Sequence, residues 1–223
     1  MRTIELEGSP EPLRVGTIIC IGRNYAEHAK EMKSDLPETP MYFLKPPSAL
    51  LHDGGSIVIP SISKDVHHEV EMTVLIGKGG KNISHDAALQ HVAGYGVGLD
   101  MTMRDVQAEA KKKGMPWALA KGFDTSAPVS RFIPASNVPN PQAMALELSV
   151  NGSVRQRGTT QDLIFPVQNL IAYLSQFITL ERGDVIFTGT PEGVAQVKSG
   201  DTLSAALKNG SGQTVASLTV RVQ

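Results

Sequence analysis

The 223-residue chain is 41% hydrophobic and 19% charged, enough apolar material for a core and too much for a disordered chain. Its formal net charge of −1 excludes a broad basic footprint for nucleic acid, and its single cysteine excludes an internal disulfide and suits a reducing, cytoplasmic setting. No stretch approaches the length of a membrane span and the first residues carry no apolar export signal, so no membrane partner is expected.

In chain order, residues 1–14, ending in the Pro-rich SPEPL, read as a short preface, and residues 15–223 as one domain. Val15 to Ile21 is an apolar run that predicts a strand ended by Gly22, with Cys20 as a small buried hydrophobe within it. Tyr25 to Met32 (YAEHAKEM) predicts a helix of about two turns, too short to be stable without packing, and therefore a mobile element. EVEMTVLIG, from Glu69, predicts a strand entering a core. Ser84 to Ala93 predicts a helix with Ser84 as its N-cap and Gly94 as its stop. GYGVGLD then predicts a strand whose glycines serve close backbone packing, because their spacing is not that of a nucleotide-binding loop.

A second helix is expected to start at a capping box of Thr102 and Asp105 and to end at Gly114. The run Lys111 to Lys113 reads as its solvated end. In LELSVNGSVRQRG, the alternation of Leu146, Leu148 and Val150 with Asn151-Gly152 predicts a hairpin. Pro166 fits the first position of a helix presenting Leu170, Ile171, Leu174 and Phe177 on one face, and GDVIFTGT and SLTVRV return to strand. Strands and helices do not alternate regularly, which points to an α+β fold.

Glu69 and Glu71 stand two apart on one strand, so both carboxylates emerge from the same face while Val70, Met72 and Val74 face the other way. Two adjacent carboxylates repel, and such a pair is kept with a compensating cation or in open solvent. Asp100, at the end of the next strand, adds a third. Three carboxylates with open coordination positions suit Mg²⁺ or Mn²⁺ better than zinc. A bare Glu-x-Glu pair is more commonly a solvated strand face. His28 and Glu31, at spacing i, i+3, share a helix face and outline a general-base dyad, although on a short helix an exposed ion pair is the commoner outcome. His67 and His68, beside two carboxylates, read as supporting residues, since hard cations prefer oxygen. Trp117 reads as structural, walling a pocket or a subunit contact. Arg23, close to His28, is within reach of a substrate carboxylate but as a lone residue is more often a surface arginine.

These blocks, CIGRNYAEHAKEM, FLKPPSALL, HHEVEMTVLIGK, GYGVGLDMTMRDVQ, GMPWALAKGFDTSAPV, VNGSVRQRGTT and GDVIFTGTPEGV, resemble in order and spacing the short single-domain members of the fumarylacetoacetate hydrolase family. The resemblance implies a mixed β-sandwich roll with flanking helices, assembled as a homodimer. It implies Glu69, Glu71 and Asp100 as ligands of Mg²⁺ (or Mn²⁺), His28 and Glu31 as a water-activating dyad on a lid, and Lys121 as a catalytic lysine reaching the substrate oxygens. Gln107 and Thr190 are implied at the substrate carboxylate site, where Arg23 is added as a candidate from its nearness to His28 alone. The activity implied is a metal-dependent hydrolase that cleaves a C–C bond of 3-acylpyruvate-type 2-oxo acids and releases pyruvate. Oxaloacetate tautomerase or decarboxylase chemistry at the same site is the alternative. A non-catalytic metal-dependent binding protein is a third reading, disfavoured because such a module has no use for His28 and Glu31.

Overall fold

Alternating apolar residues build two large sheets, with two small ones beside them, in the computed structural model, which describes residues 2–223. An eight-stranded sheet runs in the order Met41–Lys45, Ile18–Gly22, Val185–Phe187, Val70–Ile76, Val92–Leu99, Ala127–Val129 and Leu50–His52, with Ile133–Pro134 also paired to Val92–Leu99. It is mixed: Val185–Phe187 runs parallel to Ile18–Gly22 and antiparallel to Val70–Ile76. A five-stranded sheet follows the order Ser153–Thr159, Ala145–Val150, Thr202–Lys208, Thr214–Val222 and Ser56–Ile57. With few helices beside them, the sheets make an α+β fold. No helix among the described residues is long and apolar enough to cross a membrane.

The period of two along Val70–Ile76 decides what each face of the larger sheet does. Val70, Met72 and Val74 share one apolar cluster with Val97 and Leu99 and with Leu146, Leu148, Leu203 and Leu218 of the five-stranded sheet. Leu75 points the other way, into a second cluster with Ile18, Cys20, Val185 and Phe187. The strand is therefore buried along its whole length, as expected of a sheet covered on both faces. Cys20 is fully buried, and burial pushes its thiol well above the ordinary range, which suits an inert packing residue. Gly98 lies opposite Glu71 in the register. A Cβ there would come within 2.7 Å of the Phe187 ring and 2.8 Å of Thr73, so close packing explains this Gly-rich strand.

Several predicted elements shift in the structure. The first strand spans Ile18–Gly22, and the residues before it are tied in: Thr3–Ile4 pairs with Leu13–Arg14, and Ile4 is buried in the second cluster. The predicted Ser84 helix is a 3-10 helix, His85–His91, because Val92 already pairs with Ile76 and ends it early; Ser84 makes no side-chain cap. The Thr102–Asp105 capping box does not form. Thr102 donates to the Asp100 carbonyl, and the Asp105 carboxylate takes Ser63 Oγ at 2.7 Å and the Lys64 amide at 2.9 Å.

The helix Arg104–Lys112 does end as expected. Gly114, at φ +62°, lets Gly114 and Met115 donate back to the carbonyls of Lys111 and Ala110. The Asn151-Gly152 hairpin turn is present, with both residues at positive φ. Pro166 caps the helix Val167–Phe177 from just outside it. Leu170, Ile171 and Leu174 are buried on that helix, whereas Phe177 is exposed and leans on Tyr173.

Candidate active site

Strand pairing brings the three carboxylates together. Glu71 lies within Val70–Ile76, Glu69 immediately before it, and Asp100 immediately after Val92–Leu99, whose end is antiparallel to that start. The Asp100 amide donates to the Glu69 carbonyl at 2.8 Å and locks the two strand ends in register. All three side chains are buried, and one oxygen from each lies within 4.8 Å of the others.

Buried carboxylates need counter-charge. Arg104 contacts Glu69 at 2.5 Å, Lys121 Nζ bridges Glu69 at 2.7 Å and Asp100 at 2.8 Å, and Lys45 Nζ reaches Asp100 at 2.8 Å. Lys45 is further held by the carbonyls of Met101, Lys121 and Ser126. Burial opposes ionisation of Glu69, but Lys121 and Arg104 outweigh it and hold its carboxyl well below the usual range. Glu71 is the exception. Its hydrogen bond comes from the Gly189 amide at 2.6 Å, and it has no cation against it among the described residues. Burial, then the charges of Asp100 and Glu69, push its carboxyl well up. An all-oxygen donor set with one uncompensated buried carboxylate fits a divalent cation such as Mg²⁺ or Mn²⁺.

The roof is the short helix Ala26–Glu31, which buries His28 and Ala29 and leaves Glu27 and Lys30 outside. His28 Nδ1 lies 3.1 Å from Glu31 Oε2, and Glu31 Oε1 accepts the Gly193 amide at 3.1 Å. The pair therefore orients the imidazole and pins the helix to the Thr190–Gly193 loop. Arg23, at φ +57°, makes the sharp turn into this segment. Behind it Asn24, fully buried, donates to the carbonyls of Thr188 (2.7 Å) and Phe165 (3.0 Å).

One cavity collects these residues: Arg23, His28, Glu69, Glu71, Asp100, Gln107, Lys121 and Thr190 all line it, with Ile21, Met41, Phe43 and Trp117 as its apolar wall. Of the residues expected to ligate metal, act on substrate or bind it, all except Glu31 line this space, and Glu31 touches it through His28. His67 and His68 do not: His67 turns to Asp65 at 2.8 Å and His68 to Gln156 at 2.9 Å. Burial, chiefly, holds the His68 imidazole below its ordinary value. Sequence reading missed Arg104, Lys45 and Lys111. Arg104 sits in the quoted block RDVQ and joins Glu69 to Gln107, whose amide oxygen it contacts at 2.9 Å. Lys111, assigned to the solvated helix end, lies over the Trp117 ring at 5.1 Å and lines the cavity, while Lys112 pairs with Glu109 on the surface.

The family model for the fumarylacetoacetate (FAA) hydrolase C-terminal region matches residues 17–223. The chain belongs to the fumarylacetoacetate hydrolase family. Among its relatives are the mitochondrial oxaloacetate tautomerases FAHD1 of Mus musculus, 50% identical over 190 residues, and of Arabidopsis thaliana, 47% identical over 190 residues. These alignments cover 85% of this chain and 86% and 85% of the respective relatives. Among solved family structures, fumarylpyruvate hydrolase from Pseudomonas aeruginosa in complex with Mn²⁺ and pyruvate superposes with a TM-score of 0.92 at 41% identity, covering 99% of this chain and 94% of that one. A fumarylacetoacetate isomerase/hydrolase family structure from Oleispira antarctica covers both chains fully, with a TM-score of 0.94 at 40% identity.

Proposed function

We propose that this chain is a divalent-metal-dependent enzyme of short 2-oxo acids whose leading reaction is the keto–enol tautomerisation of oxaloacetate. The observation that carries this is one cavity that places a carboxylate-oriented imidazole, His28, over three buried carboxylates and beside the cations Arg104 and Lys121. Glu69, Glu71 and Asp100 would hold Mg²⁺ or Mn²⁺, which when bound polarises the 2-oxo group as a Lewis acid.

The rest of the chemistry falls to the chain's own residues. Arg104, Gln107, Thr190 and Arg23 take the substrate carboxylates. Because His28 Nδ1 is engaged by Glu31, its Nε2 is the atom free to move a proton at C3 of the substrate. Lys121 faces the oxygen on which negative charge develops. The reaction is an isomerisation, so the proton removed at carbon is returned at oxygen and no co-reactant is needed.

A second reading, C–C hydrolysis of 3-acylpyruvates with His28 activating water, is favoured by one specific feature. Met41, Phe43 and Trp117 also line an adjoining groove of about 270 Å³ with Tyr42, Met115 and Pro116, an apolar path for an acyl group. The test is a panel of oxaloacetate and acylpyruvates of increasing tail length with Mg²⁺, following enol absorbance and pyruvate release separately. Oxaloacetate is expected to equilibrate with at least about a tenfold higher kcat/KM than any acylpyruvate is cleaved. Acylpyruvate cleavage above that ratio would put hydrolysis first.

A homodimer is part of the proposal. Met41–Lys45 is an open edge of the larger sheet and exposes Leu44, and open edges invite pairing. Light scattering should return twice the 23.9 kDa chain mass, and a monomer at micromolar concentration contradicts it.

A further inference from the structure

The strand Ser153–Thr159 is an edge of the five-stranded sheet, and Ser153, Val154, Arg155 and Arg157 on it are exposed. Gln156 between them is 1% exposed. A leucine would fill such a site at no polar cost, so a buried amide there needs an account of both its ends.

The hydrogen bonds fix which way the amide points. Gln156 Oε1 lies 3.1 Å from the Val70 amide nitrogen, which can only donate, and 2.9 Å from His68 Nδ1. At the other end Nε2 lies 2.9 Å from the Pro191 carbonyl, which can only accept, and 2.9 Å from Thr190 Oγ1. The donor-only and acceptor-only partners leave one orientation: Oε1 toward Val70 and His68, Nε2 toward Pro191 and Thr190. His68 then carries its proton on Nδ1. Thr190 Oγ receives a hydrogen bond from Gln156, so its own proton is free to point away from Gln156. Thr190 is 3% exposed and lines the catalytic cavity.

We infer that Gln156 is a positioning residue that keeps the Thr190 hydroxyl poised as a hydrogen-bond donor toward the carboxylate of a 2-oxo acid. The inference rests on the proposed function for the identity of that ligand. The chain His68–Gln156–Thr190 runs from a strand end beside Glu69 to the cavity lining at Thr190. Without it the hydroxyl can rotate and present lone pairs to an anion, which repels it. The Oε1 end has a separate job, satisfying the Val70 amide where the strand begins, and the test must separate the two.

The experiment is a double-mutant cycle between Gln156 and Thr190, read by calorimetry with oxalate as the probe in the presence of Mg²⁺. Gln156→Glu keeps an acceptor for Val70 and His68 and changes the donating end; Gln156→Met, of similar length, cannot donate at all and serves if the first variant does not fold. Either change is expected to weaken oxalate by roughly tenfold, as is Thr190→Val, and the double variants should bind no more weakly than Thr190→Val alone. Thr190→Ser, which keeps the hydroxyl, should bind like the wild type. In turnover the Gln156 changes should raise KM and leave kcat within about threefold, because the contact is made equally in the ground and transition states. Losses that multiply in the double variant would show Gln156 acting through the fold or through charge, and would overturn the inference. So would oxalate affinity that is unchanged in Thr190→Val, or oxalate that fails to bind the wild type. The cycle needs no turnover, so a wild type that binds oxalate yet does not act on oxaloacetate fails the functional reading and leaves this one intact.

Discussion

His28→Ala is expected to slow oxaloacetate tautomerisation by roughly 10²–10⁴-fold, the usual contribution of a positioned general base. Binding of Mg²⁺ and of oxalate should be nearly unaffected, because the carboxylates, Arg104 and Lys121 lie on the sheet and on other helices. Glu31→Ala should cost less in proton transfer, since Glu31 orients the imidazole without meeting substrate. It should carry a second effect, though. Glu31 also accepts the Gly193 amide, and that contact pins a six-residue helix too short to persist alone. Glu31→Ala is therefore expected to increase protease cleavage near Lys30, with oxalate restoring protection. Steady-state rates and limited proteolysis of both variants check this. A tautomerisation rate unchanged in His28→Ala would remove His28 from the mechanism.

Glu71→Gln should weaken Mg²⁺ by about 100-fold or more, because hard cations depend on ligand charge. Its effect on the metal-free protein should have the opposite sign to an ordinary active-site lesion. Glu69 and Asp100 are matched by Arg104, Lys121 and Lys45, but a charge on Glu71 would be answered by one backbone amide, which is why its ionisation is disfavoured without metal. Gln keeps the shape and the acceptor for Gly189 and removes the charge. The metal-free variant is therefore expected to melt no lower than the metal-free wild type, and to lose the rise in Tm that Mg²⁺ gives the wild type. Calorimetric titration and thermal melts with and without Mg²⁺ check both halves. A variant that still binds Mg²⁺ like the wild type would exclude Glu71 as a ligand.

The parts of this site that were legible in the sequence are those governed by short-range periodicity. Alternation along Val70–Ile76 puts Glu69 and Glu71 on one face, and helical spacing puts His28 beside Glu31; both arrangements are found. What periodicity cannot show is which cations a sheet brings to those carboxylates. Arg104 meets Glu69 across 35 residues and Lys121 meets it across 52, through strand order and not through local pattern. Gln156 meets His68 across 88, and its only trace in the sequence is a glutamine between two arginines on a hairpin strand, where it looks like surface.

The fold shows the same division. The Asn151-Gly152 turn and the Gly114 helix stop were readable because positive φ is a local demand. The Thr102–Asp105 cap failed because Ser63 and Lys64, distant in sequence, offer the Asp105 carboxylate better donors. The helix expected from Ser84 became 3-10 because strand pairing claimed Val92. Local propensity lost each time to a tertiary partner.

The most direct test is the keto–enol relaxation of oxaloacetate, followed by its enol absorbance, with the wild-type chain in Mg²⁺ and again in excess chelator. The structure predicts relaxation well above the uncatalysed rate in Mg²⁺, near that rate in chelator, and restored by Mn²⁺, with no stoichiometric release of pyruvate. Relaxation no faster than without protein, or equally fast after the metal is removed, would contradict a metal-dependent tautomerase built on Glu69, Glu71 and Asp100.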